Sequence, residues 1–252
     1  MSLYYQLEGP SGAPVVVLSN SLGTAFEMWQ PQMAALLGHF RVLRYDTHGH
    51  GRTTKYDKTT LPQLAEDVIT IMDDAGVQQA HFCGISMGGL TGLWLARFAP
   101  ERFLSVTVAN SAAKIGEQSG WLERARNVRS EGLSAIAQSA ASRWFTPDFV
   151  KHHKTEVDAL CLALAKSDAD GYAACCEALA AADLRAEIDA ISLPMLFIAG
   201  SEDPVTTVAD SEFMHQQVKG SHLVTLNVSH LSNIEDVQGF NVALLNFIQR
   251  DD

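Results

Sequence analysis

Short apolar runs recur along the chain at 15–18, 42–45, 80–83, 106–109, 195–199 and 223–228, each bounded by Gly, Asn, Ser or Asp. Runs of four to six residues, β-branched or leucine-rich, predict buried strands. Between them, apolar positions at helical spacing predict helices near 28–37, 61–75, 90–98, 208–218 and 237–248. Strand followed by helix, repeated, predicts an α/β fold with parallel strands and crossover helices on both faces of the sheet. The strands lack polar alternation, as expected of a sheet covered on both sides.

The alternation breaks between residues 112 and 190. That segment is alanine-rich and helical in pattern and contains no strand-like run. Helices inserted between two strands of one sheet most simply cover its carboxyl edge, where open α/β sheets bind ligands. The expected organisation is a core of residues 1–111 and 191–252 with a helical cap insertion of 112–190.

Charge narrows the partners. The 252 residues carry 18 basic and 29 acidic side chains, a formal charge of −11. Nucleic acid needs a basic footprint to displace phosphate counterions, and an anionic membrane surface needs the same, so neither is an expected partner. No run approaches the roughly 20 apolar residues of a spanning helix. The first residues lack the basic flank and apolar stretch of a signal peptide. Cys83, Cys161, Cys175 and Cys176 form no Cys-x-x-Cys. Neither a disulfide framework nor a zinc site is indicated, and a reduced, cytoplasmic chain is expected. Oligomeric state leaves no mark in the sequence.

The chemistry is concentrated in Gly84-Ile85-Ser86-Met87-Gly88, directly after an apolar strand and directly before a helical pattern. Gly-x-Ser-x-Gly in this context is a nucleophile elbow, a sharp strand-to-helix turn that holds the serine oxygen out at the sheet edge. The helix that begins at Met87 supplies an N–H and a positive dipole end for an oxyanion.

A nucleophilic serine needs a base and an orienting acid, in the chain order serine, acid, histidine. Of nine histidines, His230 follows the 223–228 strand and precedes the last helix, where the base belongs. His152 and His153 have the flanks of a solvated face. His215 and His222 suit structural roles, and His39 and His81 flank strands with no obvious partner. Two slots are open to the acid. Asn110 and Ser111 occupy the first and cannot be anionic; Gly200-Ser201-Glu202-Asp203-Pro204 occupies the second. Asp203 is favoured because Pro204 fixes the backbone that follows, with Glu202 as the rival. The second oxyanion donor is expected in the loop Ser19-Asn20-Ser21-Leu22-Gly23, where the backbone N–H of Leu22 would join that of Met87.

Cofactor readings fail. His48 and His50 are spaced as metal ligands, but Arg52 stands where a third ligand would be needed. The glycines at 84–89 match neither Gly-x-Gly-x-x-Gly nor a Walker loop. No metal and no cofactor are expected.

With these residues in place, the chain resembles the α/β-hydrolase superfamily and, within it, the 3-oxoadipate enol-lactonases. The carriers are residues 18–24 with Met28-Trp29, residues 46–51, and Gly84 to Gly89. In the insertion they are Arg143-Trp144-Phe145-Thr146-Pro147, residues 171–176, and Ala182-Asp183-Leu184-Arg185. Two departures stand out. His48 occupies a position where relatives usually carry Arg, and the N-terminus is short: residues 3–8 look like the second strand of the usual fold, so that the outermost antiparallel strand that precedes it there is expected to be missing. The resemblance implies hydrolysis of a five-membered enol-lactone bearing an acetate arm, giving 3-oxoadipate, in aromatic-compound breakdown. A carboxylesterase or a different lactonase on the same triad, or a non-catalytic binding protein of this fold, are the alternatives.

An anionic small-molecule lactone needs a local cation, because the net charge offers no general attraction. Arg124, Arg126, Arg129, Arg143 and Arg185 are the cations considered in the insertion. The first three lie beside Glu123 and Glu131, as on a solvated helix face. Arg143 adjoins Trp144 and Phe145, where a guanidinium can be partly desolvated. Arg143 is therefore the expected carboxylate anchor, with Trp144 as a pocket wall.

Overall fold

The computed structural model describes residues 3–53 and 58–250. Seven strands form one sheet: β1 (Tyr5–Glu8), β2 (Val15–Ser19), β3 (Arg41–Tyr45), β4 (Ala80–Ile85), β5 (Phe103–Ala109), β6 (Met195–Gly200) and β7 (His222–Leu226). Their order is β1-β3-β2-β4-β5-β6-β7, with β1 antiparallel to β3 and every other pairing parallel.

The helices of the core are α1 (Gln30–Leu36), α2 (Leu61–Asp74) and α3 (Met87–Phe98). The segment between β5 and β6 adds α4 (Gln118–Glu131), α5 (Ser134–Gln138), α6 (Ala140–Trp144), α7 (Pro147–His152), α8 (Lys154–Ala165) and α9 (Ala169–Ala181). After β6 come α10 (Val208–Gln217), α11 (Ser232–Glu235) and α12 (Val237–Ile248). Local chemistry explains several of these boundaries. Pro31 lies in the first turn of α1, where its missing N–H has no intrahelical partner to lose. Thr60 caps α2 by accepting the Gln63 N–H, and Thr207 with Asp210 forms a capping box on α10.

The chain leaves β2 toward β3 on one side and later returns past β2 to β4, then proceeds through β5, β6 and β7 on the other. The carboxyl ends of β2 and β4 therefore flank the switch point, where open α/β sheets form a crevice. Ser19 pairs with Gly84 at the ends of these two strands, so the loop after β2 and the turn after β4 start side by side. Packing of α2 on α3 covers one face of the sheet, and packing of α1 on α12 covers the other. Val16, Val17, Leu18, Phe82, Val106 and Phe197 are wholly buried between them.

Two sequence expectations shift. The last strand ends at Leu226 rather than 228, because the Val228 carbonyl turns to accept the Glu202 N–H at 3.0 Å. The strand expected from residue 106 starts three residues earlier, at Phe103.

The inserted helices dock on the core where two backbones nearly touch. A Cβ on Gly171 in α9 would lie 2.5 Å from the Gly49 carbonyl oxygen, and one on Gly49 would lie 2.5 Å from the Gly171 Cα. Gly171→Ala must force these backbones apart, and overpacking of this kind costs about 1–3 kcal/mol. Its melting midpoint should fall by about 2–4 °C for each kcal/mol lost. An unchanged midpoint would show that the two turns separate freely.

Candidate active site

Ser86 sits at φ 56° and ψ −116°. A residue with a Cβ adopts such a conformation only when its surroundings impose it, at a cost of about 1–3 kcal/mol. Three hydrogen bonds impose it here. The Ser86 N–H donates to the Ala109 carbonyl at 3.0 Å, while the Ser86 carbonyl accepts the Leu90 N–H at 2.9 Å and the Ser111 hydroxyl at 2.7 Å. The flanking glycines allow the approach: a Cβ on Gly84 would lie 2.2 Å from the Gly88 carbonyl oxygen, and one on Gly88 would lie 2.3 Å from that of Ser19.

His230 and Asp203 meet beside this turn. The His230 Nδ1–H donates to Asp203 Oδ2 at 2.8 Å, and both side chains are almost wholly shielded from solvent. The same Oδ2 accepts the Thr206 hydroxyl at 2.9 Å and the Asn110 side-chain amide at 3.0 Å. Oδ1 accepts the backbone N–H groups of Val205 at 2.8 Å and Thr206 at 3.1 Å. Burial by itself would raise the Asp203 carboxyl. Donors from His230, Asn110 and Val205 outweigh it and hold the group below its ordinary value of 3.8. An ionised Asp203 keeps the imidazole proton on Nδ1 and leaves Nε2 as the acceptor. Glu202 is exposed and takes no part in this cluster.

Ser86, His230, Leu22, Arg143 and Trp144 line one cavity of about 300 Å³. Met87 is buried beneath it as the first residue of α3, so its N–H has no intrahelical acceptor. The loop that carries Leu22 is fastened at several points. The Asn20 amide donates to the Tyr45 carbonyl and accepts the Trp29 indole N–H, and the Asn20 carbonyl accepts the Gly88 N–H.

Several contributors have little sequence signal. His50 is buried, its Nδ1 bonds the His48 carbonyl at 3.0 Å, and its Nε2 accepts the Gly23 N–H at 3.0 Å. Both ring nitrogens thus serve to pin the Leu22 loop. Burial lowers the tendency of His50 to take a second proton, which keeps Nε2 an acceptor. Asn110 and Ser111, which the sequence excludes as acids, orient Asp203 and brace Ser86. Asn110 adopts φ 43°, a left-handed conformation that asparagine tolerates.

The charged lining needs a correction. Arg124 does not share a solvated face with Arg126 and Arg129: it is half-buried on the cavity wall, its guanidinium 4.7 Å from the centre of the Trp121 ring. The i, i+3 spacing of Trp121 and Arg124 is the signal that marks this face. Arg129 pairs with Glu177, and Arg185 pairs with Asp183 at 2.6 Å. Arg143 donates to the Ile136 carbonyl at 3.0 Å and the Ser139 hydroxyl at 2.5 Å. Burial, and then the nearby charge of Arg124, pull its guanidinium below the ordinary arginine value. Among the described residues neither Arg124 nor Arg143 has a carboxylate partner. His81 does have a partner, contrary to the sequence expectation: its Nδ1 lies 2.8 Å from the Ser105 hydroxyl, far from this cavity's lining.

The Asn110 side-chain amide also donates to the Ser229 carbonyl at 3.0 Å, so Asn110→Ala should leave Asp203 and that carbonyl each one donor short, at about 1–3 kcal/mol for each buried group. The Asp203 carboxyl is depressed in the folded state, so its stabilising contribution is complete above its ordinary value and is lost as pH falls through the folded value. The gap in melting midpoint between the native protein and Asn110→Ala should therefore be widest near neutrality and shrink on acidification below about pH 4. A gap that is constant with pH would separate Asn110 from the charge on Asp203.

Comparison with known proteins agrees with this architecture. A family model described as the alpha/beta hydrolase fold matches residues 14–237. The curated 3-oxoadipate enol-lactonase 2 of Acinetobacter baylyi is 49% identical over 251 residues, which is 99% of this chain and 94% of that protein. The 3-oxoadipate enol-lactonase 1 of the same organism is 47% identical over 98% of this chain and 93% of its own length. The crystal structure of an enol-lactonase from Burkholderia xenovorans superposes with a TM-score of 0.96 at 42% identity, covering 98% of this chain and 96% of the other. The chain belongs to the alpha/beta hydrolase fold family.

Proposed function

We propose that the protein hydrolyses 3-oxoadipate enol-lactone to 3-oxoadipate through an acyl-enzyme on Ser86, as a step of aromatic-compound breakdown. One observation carries the reading. Ser86 and His230 share a small cavity with two arginines that lack carboxylate partners among the described residues. The similarity to the Acinetobacter and Burkholderia lactonases, across nearly the whole chain, supports the same substrate.

In this mechanism His230 Nε2 takes the Ser86 hydroxyl proton as the oxygen attacks the lactone carbonyl, and Asp203 stabilises the resulting imidazolium. The N–H groups of Leu22 and Met87 receive the developing oxyanion. Collapse of the tetrahedral species breaks the ring C–O bond and expels an enolate oxygen, which His230 protonates. The enol stays tethered to the acyl group and tautomerises to the ketone, which suppresses re-closure. Water, deprotonated by His230, then cleaves the ester to release the carboxylic acid and restore Ser86. The helices of 112–190 act as a cap over this chemistry, with Arg143 binding the acetate carboxylate and Trp144 walling the ring.

Ser86→Ala should fold and lose kcat by a factor on the order of 10⁶. A folded variant that keeps more than a few per cent of activity would remove Ser86 from the mechanism.

For substrate identity, ultraviolet assay of the enol-lactone is compared with hydrolysis of p-nitrophenyl acetate. A charge-assisted contact is worth about 1.5–3 kcal/mol. Arg143→Ala should therefore lower kcat/KM on the lactone by about 10- to 150-fold and spare the neutral ester, with Arg143→Lys restoring only part. Equal losses on both substrates would make Arg143 a support of the cap, and a preference for the neutral ester in the native protein would favour a general esterase.

A further inference from the structure

The core alone does not hold the loop that carries His230. Ser229, immediately before it, donates its hydroxyl to the Arg143 carbonyl at 3.4 Å, and Leu231, immediately after it, donates its N–H to the Trp144 carbonyl at 3.0 Å. The two neighbours of the histidine thus hang on consecutive carbonyls of the inserted helices. The side chains of those same two residues face the cavity.

Glu235 closes the junction. Its Oε2 accepts the Ser229 N–H at 2.8 Å, and its Oε1 accepts the Thr146 N–H at 3.1 Å together with the Thr146 hydroxyl. One half-buried carboxylate therefore receives donors from the His230 loop and from the insertion. Hydrogen bonds to an ionised acceptor are roughly twice as strong as neutral ones, and here they fix two segments 83 residues apart in sequence (Thr146 and Ser229). These bonds join residues 143–146 directly to residues 229–231.

We propose that Glu235 is a positioning residue that locks residues 143–146 to the His230 loop, so that carboxylate binding by the insertion sets the imidazole against Ser86. The proposal rests on the reading of His230 as the general base and of Arg143 as the anchor. It differs from a purely structural tie because the bonded segments carry the base on one side and the anchor on the other. Substrate seated at Arg143 would then favour the arrangement in which the base is aligned.

The test uses Glu235→Gln, which keeps one acceptor oxygen and turns an amide N–H₂ toward a backbone donor. Misplacement of a reacting group by about 1 Å costs on the order of 10²-fold. The kcat should fall by about 10- to 100-fold on both p-nitrophenyl acetate and the enol-lactone, with KM for the acetate within about threefold. An unchanged kcat on both substrates, whatever happens to the melting midpoint, would overturn the proposal. Should Glu235→Gln fail to fold, Thr146→Val removes one donor to the same carboxylate. Its kcat must fall in the same sense, and an unchanged kcat is equally fatal. Arg143→Ala is then compared on the lactone in the native and Glu235→Gln backgrounds. The coupling requires a smaller loss in the second, and equal losses would refute it. Failure of the underlying reading is seen separately, as a folded His230→Ala variant that stays active, or as equal losses on the lactone and the neutral ester for Arg143→Ala in the native background.

Discussion

A backbone conformation that a side-chain-bearing residue resists is held at Ser86 by the close approach of three elements: the end of β4, the first turn of α3 and the end of β2. Gly84 and Gly88 make the approach possible, because a Cβ at either would penetrate a neighbouring carbonyl. The bonds to Ala109, Leu90 and Ser111 then leave the turn no alternative geometry. Because β2 and β4 are neighbours at the switch point of the sheet, the same packing sets the Leu22 loop beside the Met87 N–H. Displacing the turn would disturb the serine and both backbone donors together, which makes it the constraint on which the rest of the cavity depends.

Electrostatics complete the site against the trend of the whole molecule. The chain is strongly acidic, yet the cavity exposes two guanidiniums, and the one carboxylate paired with His230 is surrounded by donors. Arg124 weakens the charged state of Arg143, so an anion between the two guanidiniums would relieve that repulsion. Local charge, partly desolvated, acts here where net charge would repel.

Much of this is legible in the sequence, for a physical reason. Strands buried on both faces are written as continuous apolar runs, and the elbow is a local motif whose glycines are needed within five residues of each other. His230 and Asp203 follow from chain order on such a sheet. What stays hidden depends on contacts between distant segments. Asn110 reaches Asp203 across 93 positions, His50 reaches Gly23 across 27, and Glu235 reaches Thr146 across 89. No periodicity encodes those pairings. Arg124 lies between the two cases. Its helical spacing from Trp121 marks the inward face, but the neighbouring Glu123, Arg126 and Glu131 give the segment the composition of a solvated one.

Ser86 follows the central strand β4, whereas His230 follows β7, the last strand of the sheet, whose residues are half-buried or exposed. Edges of this kind belong to the cooperative units that open first, at free energies below that of global unfolding. The lifetime of the assembled site is then governed by fraying at β7, while the buried centre around Ser86 survives. Amide protection would decay from the β7 edge inward, and heat would silence the enzyme as a local event before the core melts.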